Sequence, residues 1–265
     1  MKQFRLPLVA IVASLMMVCG CTRNSAGRTR AETEAVTLHV AAASDLQLVL
    51  PELIEAYRAL APGVTIVPVP GSSGQLAQQV KAGAPFDLFL AANEAYVRDL
   101  ATEHYILAGS IRPYAVGSLV VAVRDDLATP FGTLADLTKP GVKRVVIANP
   151  ETAPYGAAAR QALRNAGVWE AIGPKLVIAE SVRQALTYVE TGDAEAGLVG
   201  RAGARASRVR SVEVDPKLYD PLVQALGVVA RTEHAEAAEA FARFIVSDAA
   251  LKVFSTHGFQ RPRGK

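Results

Sequence analysis

VTLHVAAASDLQLVLPELIEAYRAL, residues Val36–Leu60, sets the pattern that the rest of the chain repeats. Its first eight letters form an apolar, β-branched run, Ser44 interrupts it, and Leu46, Leu50, Leu53, Tyr57 and Leu60 then recur at the spacing of one helix face. The segment predicts a strand over 36–43, an N-cap at Ser44, and a helix kinked by Pro51, whose nitrogen carries no hydrogen to donate. A strand that feeds directly into a helix is half of a βα unit, and such units assemble into parallel sheets.

The same order recurs along the chain. VTIVPVP (64–70) precedes Gly71-Ser72-Ser73-Gly74 and a short helix through Leu76 and Val80 that stops at Gly83. FDLFLAA (86–92) precedes a helix capped by Asn93. After Gly117, SLVVAV (118–123) opens a second series. KRVVIA (143–148) leads through NPETAP (149–154) into a helix from Tyr155 to near Gly167, and KLVIA (175–179) leads through Glu180-Ser181 into a helix over 182–190. AGLVG (196–200) and QALGVVA (224–230) read as buried strands, and an amphipathic helix carrying Phe241, Phe244 and Ile245 closes the chain. Two such series predict two α/β lobes with mixed, mostly parallel sheets joined by a two-strand hinge, with the last helix returning to complete the first lobe. The lobes are bounded at 36–116 with 229–265, and at 117–228.

The opening MKQFRLPLVAIVASLMMVCGC has a basic start, an apolar centre and small residues before Cys21, the layout of a secretory signal. Its apolar run is short for a membrane span of about 20 residues, and V-C-G-C reads as a lipobox. The expectation is a signal peptide over 1–20, lipidation of Cys21 and a polar tether over 21–35, which would put the domain outside the cytoplasm on a lipid anchor; ordinary signal cleavage is the alternative. Both cysteines, Cys19 and Cys21, fall in this stretch, so the remaining domain has no disulfide and must rely on its core. Without Lys2 and Arg5 the formal charge falls from +3 to +1, which offers no footprint for nucleic acid.

Four βα junctions place accessible backbone or a small hydroxyl at a helix start: Ser44, Ser72-Ser73-Gly74, Pro154-Tyr155-Gly156 and Ser181-Val182. The first amides of a helix have no partner inside it and carry about half a positive charge together, so they bind anions without a cationic side chain. Each junction alone reads equally as a cap or a tight turn; two from each lobe facing across a cleft would make a cage. Signatures of enzymes are poor. GSSG lacks the last glycine of a G-x-S-x-G elbow, there is no S-x-x-K or G-x-x-x-x-G-K, and His39, His104, His234 and His257 are scattered without ligand spacing.

AAASDL (41–46), GSSGQLA (71–77), GAPFDLFLAAN (83–93), NPETAPYG (149–156), SVRQAL (181–186) and FARFIVSDAALKVFSTHGF (241–259) resemble, in order, the periplasmic molybdate-binding proteins of ABC transporters. The resemblance implies a type II periplasmic-binding fold, a membrane permease and its ATPase as partners, a monomer that is no enzyme, and molybdate or tungstate as ligand. No cofactor is implied, and molybdenum enters only inside the bound oxyanion. Carried over by motif, the ligand donors are the hydroxyls of Ser44 and Ser73 and the amides of Tyr155 and Val182. Ser72, Asp45, Gly200 and Arg201 are further candidates. Many members end the strand matching AGLVG with a tyrosine whose hydroxyl touches the anion; here Gly200 stands in that place, followed by Arg201, which would have to reach inward. Asp45 is expected to turn its carboxylate away, because a fully deprotonated molybdate repels it, whereas monoprotonated phosphate would welcome it. Sulfate or phosphate binding, and a secreted hydrolase using Ser73, remain as alternatives. Mass analysis of the mature amino terminus should find a lipid-sized increment on Cys21; an unmodified terminus produced by a cut elsewhere would refute the anchor.

Overall fold

The structure, a computed structural model, describes residues 35–127 and 130–262. The expected signal peptide over 1–20, Cys21 and the expected tether up to residue 34 lie outside them.

Ten strands and nine helices follow one another in the described residues. The first half comprises β1 (Val36–Ala43), α1 (Leu50–Arg58), β2 (Val64–Gly71), α2 (Ser73–Lys81), β3 (Leu88–Ala91), α3 (Glu94–Thr102) and β4 (Arg112–Gly117). The second comprises β5 (Leu119–Val123), β6 (Val145–Ala148), α4 (Pro154–Asn165), α5 (Trp169–Ile172), β7 (Leu176–Ala179), α6 (Val182–Glu190), β8 (Ala196–Gly200), α7 (Arg201–Arg205) and β9 (Arg210–Glu213). Then come β10 (Leu222–Val228), α8 (Ala235–Ile245) and α9 (Asp248–Thr256). Two five-stranded sheets result, in the orders β2-β1-β3-β10-β4 and β7-β6-β8-β5-β9. Both are mixed: three parallel strands are followed by two antiparallel pairings, and the antiparallel share comes from the strands that cross between lobes and their edge partners.

The second lobe ends earlier than the boundary expected at 228. Leu222–Val228 pairs antiparallel with both β3 and β4 in the first sheet, with Leu226 opposite Leu90 and Leu222 opposite Gly117. Its Ala225, Leu226 and Val228 are buried between helices of the first lobe. The strand therefore belongs to lobe I, and so does Gly117, with the outward crossing at Ser118.

Local rules explain the other differences. Ser44–Leu46 forms a 3-10 turn instead of capping one long helix, and α1 starts afresh at Leu50 with Pro51 in its first turn. Proline is tolerated there because the amide it lacks would be unpaired anyway. The helix stops at Arg58, so Leu60 lies beyond its apolar face and is 70% exposed. β4 and β9 escape the hydrophobic pattern because both are edge strands, where Pro113 and the charged residues of RSVE need not sit between two neighbours.

Register positions the rest. β1 and β2 run parallel with Val36 opposite Val64 and Ala43 opposite Gly71, so Ser44 and Ser72 leave the sheet side by side at its carboxyl edge. In the second sheet Ala148 lies opposite Ala179, which brings the loops at Asn149 and Glu180 together in the same way. Ligands of open α/β sheets bind at this edge.

Lobe I is held by an aromatic cluster in which Tyr57 of α1 meets Phe241 at 4.8 Å and Phe244 at 5.2 Å, while Phe254 contacts Phe259 edge-on at 5.6 Å. The C-terminal helices thus complete the first lobe. Phe241 is fully buried, so Phe241→Ala should cost about 3–5 kcal/mol of unfolding free energy, as aromatic truncations in packed cores do. Urea denaturation reads this loss, and an unchanged midpoint would contradict the packing.

Candidate functional site

The four junctions meet. A small cavity between the lobes is lined by Ser44 and Ser73 from lobe I and by Tyr155 and Val182 from lobe II. Ser72, Asp45, Ala92 and Pro154 complete much of its wall, and no lysine, arginine or histidine lines it. Ser44 also lines the two neighbouring cavities, one containing Asp45, Val182, Arg183 and Gly200, the other opening outward past Gln47 and Gln184.

The local chemistry follows from the helix starts. Ser73 is the first residue of α2 and only 1% exposed. Its Oγ accepts the amide of Ala92 at 3.0 Å, which leaves the hydroxyl proton free to donate elsewhere. Ser72 differs, since its hydroxyl is committed to Gln75 Oε1 at 2.9 Å. In α4, Pro154 occupies the opening position and has no N–H, so Tyr155 and Gly156 supply the first free amides. Ser181 caps α6 by accepting the Gln184 amide at 3.2 Å, and the Val182 amide ahead of it has no carbonyl one turn back within the helix. Two hydroxyls and two helix-start amides are thereby placed around one volume, with donors and partial positive charge but no cation.

The lobes touch directly beside this volume. The Gly74 amide donates to the Thr152 carbonyl at 2.8 Å, joining the start of α2 to the loop ahead of α4. A Cβ at position 74 would lie 2.7 Å from that oxygen, so only glycine permits the approach. Thr152 was not singled out from sequence, because a loop threonine carries no signal of a partner in the other lobe.

Gly200 has a steric account. A Cβ built there would lie 3.2 Å from two carbons of the Tyr155 ring, and one on Gly117 would lie 2.2 Å from the Tyr155 hydroxyl. The phenol is fully buried against both glycines. A tyrosine from α4 thus fills the volume beside the end of β8, and Gly200 lines the neighbouring cavity instead of offering a hydroxyl. Arg201 does not reach inward. Its guanidinium pairs with Glu213 and its amide donates to Ser118 O at 2.9 Å, and it lines none of the three cavities. The edge-strand glutamate thus holds the guanidinium away from the cleft.

Asp45 is only 8% exposed and does not turn out to solvent. Its Oδ2 accepts from Gln224 Nε2, which is also 3.3 Å from the Tyr155 hydroxyl. Loss of water pushes its pKa up to about 6, against the pull of the Gln224 amide that hydrogen-bonds the charged form and of the Tyr155 hydroxyl nearby. Burial with Asp45 alongside likewise drives the Tyr155 phenol well above its ordinary value, so it stays neutral. Gln224 is 0% exposed. Its signal in the sequence was a single amide side chain in an otherwise apolar strand, QALGVVA.

Comparison with known proteins places the chain among solute-binding proteins. Residues 38–260 match the family described as bacterial extracellular solute-binding protein. A putative ABC transporter substrate-binding lipoprotein of Bacillus subtilis is 32% identical over 256 residues, covering 95% of this chain and 96% of its own. A molybdate-binding protein of Rhodobacter capsulatus is 33% identical over 198 residues, or 74% of this chain and 78% of its own. The solved periplasmic molybdate-binding protein of Azotobacter vinelandii superposes with a TM-score of 0.80 at 27% identity, over 85% of this chain and all of that one. The chain is a member of the bacterial extracellular solute-binding protein family.

Proposed function

We propose that the chain is the solute-capturing component of an ABC importer and that it takes molybdate, or its near-isostere tungstate, between its lobes. The observation that carries this reading is the convergence of Ser44, Ser73, Tyr155 and Val182 on one cavity without a basic side chain. A dianion there would be met by the two hydroxyls and by the amides of Tyr155 and Val182. Each charge-assisted bond contributes roughly 1.5–3 kcal/mol, and a partly buried helix start adds up to about 2 kcal/mol, so several together offset the loss of water. The relatives named as molybdate-binding support the choice of ligand. A permease and its ATPase would receive the anion, and the protein would work as a monomer on the outer side of the cytoplasmic membrane, held there by lipid on Cys21.

One observation favours a second reading. Asp45 lines the cavity, and an ionised carboxylate would accept a hydrogen bond from monoprotonated phosphate. Sulfate has less support, since the solved sulfate-binding protein of Mycobacterium tuberculosis, at 20% identity and a TM-score of 0.72, shares the fold alone.

Titration calorimetry with molybdate, tungstate, sulfate and phosphate separates these. Heat is expected with the first two; their silence, or a tighter phosphate complex, would defeat the proposal. Ser73→Ala should raise the molybdate dissociation constant roughly 10- to 100-fold, the equivalent of one charge-assisted bond. An unaltered constant would remove Ser73 from the donor set.

A further inference from the structure

We infer that Asp45 takes up a proton when the cleft fills, so that the carboxyl group becomes a hydrogen-bond donor to an oxygen of the anion and capture consumes one proton from solvent. The inference rests on the anion reading above and concerns a group that this reading leaves unexplained.

The geometry points to Asp45 from two sides. It lines the cavity shared by Ser44, Ser73, Tyr155 and Val182, and also the adjoining one that reaches Gly200. Its two oxygens are not equivalent. Oδ2 is held by the buried amide of Gln224, whereas Oδ1 is buried and has no hydrogen-bond partner. A buried polar atom without a partner is costly, and this one belongs to a side chain forming the wall of a cavity built from donors. Asp45 is therefore part of the wall that whatever fills the cavity meets.

No neighbouring charge compensates the carboxylate. From α6, Arg183 lines the adjoining cavity but is paired with Glu190. Arg201, at the start of α7, is paired with Glu213. β4 supplies Tyr114, whose hydroxyl donates to Ala91 O at 3.2 Å, α4 supplies Tyr155, β10 supplies the neutral Gln224, and β2 has no ionisable residue. A dianion set against an ionised Asp45 would therefore face unscreened repulsion in a dry site, while the neutral acid removes the repulsion and adds an O–H donor. Burial has already brought the empty-site pKa to about 6, so the proton is easily gained near neutrality.

The sign follows from linkage. The filled site holds its proton more tightly than the empty one, so affinity is greatest in mild acid. It falls as pH rises above about 6, by up to tenfold per pH unit, and levels off once the pKa of the filled site is passed. Molybdate itself is fully ionised across pH 6.5–8.5, so the dependence belongs to the protein.

The experiment is calorimetry of molybdate with the mature chain at pH 6.5, 7.5 and 8.5, each in two buffers of low and high ionisation heat. The expected result is a buffer-dependent heat approaching one proton taken up per anion, with a dissociation constant that climbs by up to tenfold for each pH unit of the series. Asp45→Asn keeps the shape and carries a permanent N–H donor; it should bind with a nearly flat pH profile and no buffer-dependent heat. Molybdate binding with no proton uptake in the wild-type chain would overturn the inference, as would an undiminished uptake in the Asn variant. If molybdate gives no heat at any pH, the cargo assignment fails instead, and the same proton count made with whichever anion of the panel binds decides the role of Asp45.

Discussion

Parallel pairing of β1 with β2 and of β6 with β7 is the constraint on which the cleft depends. In a parallel pair with matched ends, both chains leave the sheet at the same edge and turn into their helices there. The starts of α2, α4 and α6 and the 3-10 turn at Ser44 are consequently delivered to two facing edges. Amides without partners collect where the strands stop, because a helix leaves its first turn unsatisfied. The donor-rich, cation-free character of the cavity follows from topology as much as from any side chain.

Closure is then a matter of what allows the two edges to meet. Gly74 admits the Thr152 carbonyl because it has no Cβ, and the resulting hydrogen bond ties the first lobe to the second within a few residues of Ser73. Gly117 and Gly200 likewise make room for the Tyr155 ring, which fills the deep side of the cleft next to the crossing strands. Three positions that look like loop or strand-end glycines act together as the space into which the opposite lobe packs. A side chain at Gly74 would hold the lobes apart, one at Gly117 would displace the phenol, and one at Gly200 would press on its ring.

Behind the donors lies a second polar group of a different kind. Asp45, Gln224 and Tyr155 come from lobe I, the returning strand and lobe II, and they share hydrogen bonds in a region closed to water. Such a network is expensive when only partly satisfied, and Asp45 Oδ1 and Gln224 Oε1 are both without partners. The cost is consistent with a site whose polar groups are completed by a bound species, since buried polar atoms in folded proteins otherwise find partners.

The alternation of apolar runs, caps and helical spacing determined the α/β class, most of the elements and all four junctions, because strand burial and helix capping are local and leave their mark on adjacent letters. Asn93 caps the helix its position indicated and Val182–Glu190 is the helix that its spacing indicated, whereas Ser44, expected as a cap, opens a 3-10 turn. The edge strands β4 and β9 were illegible, since an edge needs no continuous apolar face. The lobe assignment of Leu222–Val228 depended on which of two apolar sheets received it, and an apolar strand does not name its neighbours. Arg201 was settled by Glu213, and Gly200 by a ring 45 positions earlier in the chain. Only the tertiary structure could decide these, along with the burial of Asp45 beside Gln224. Each depends on contacts between distant segments, and the energy of such a contact is written in neither segment alone.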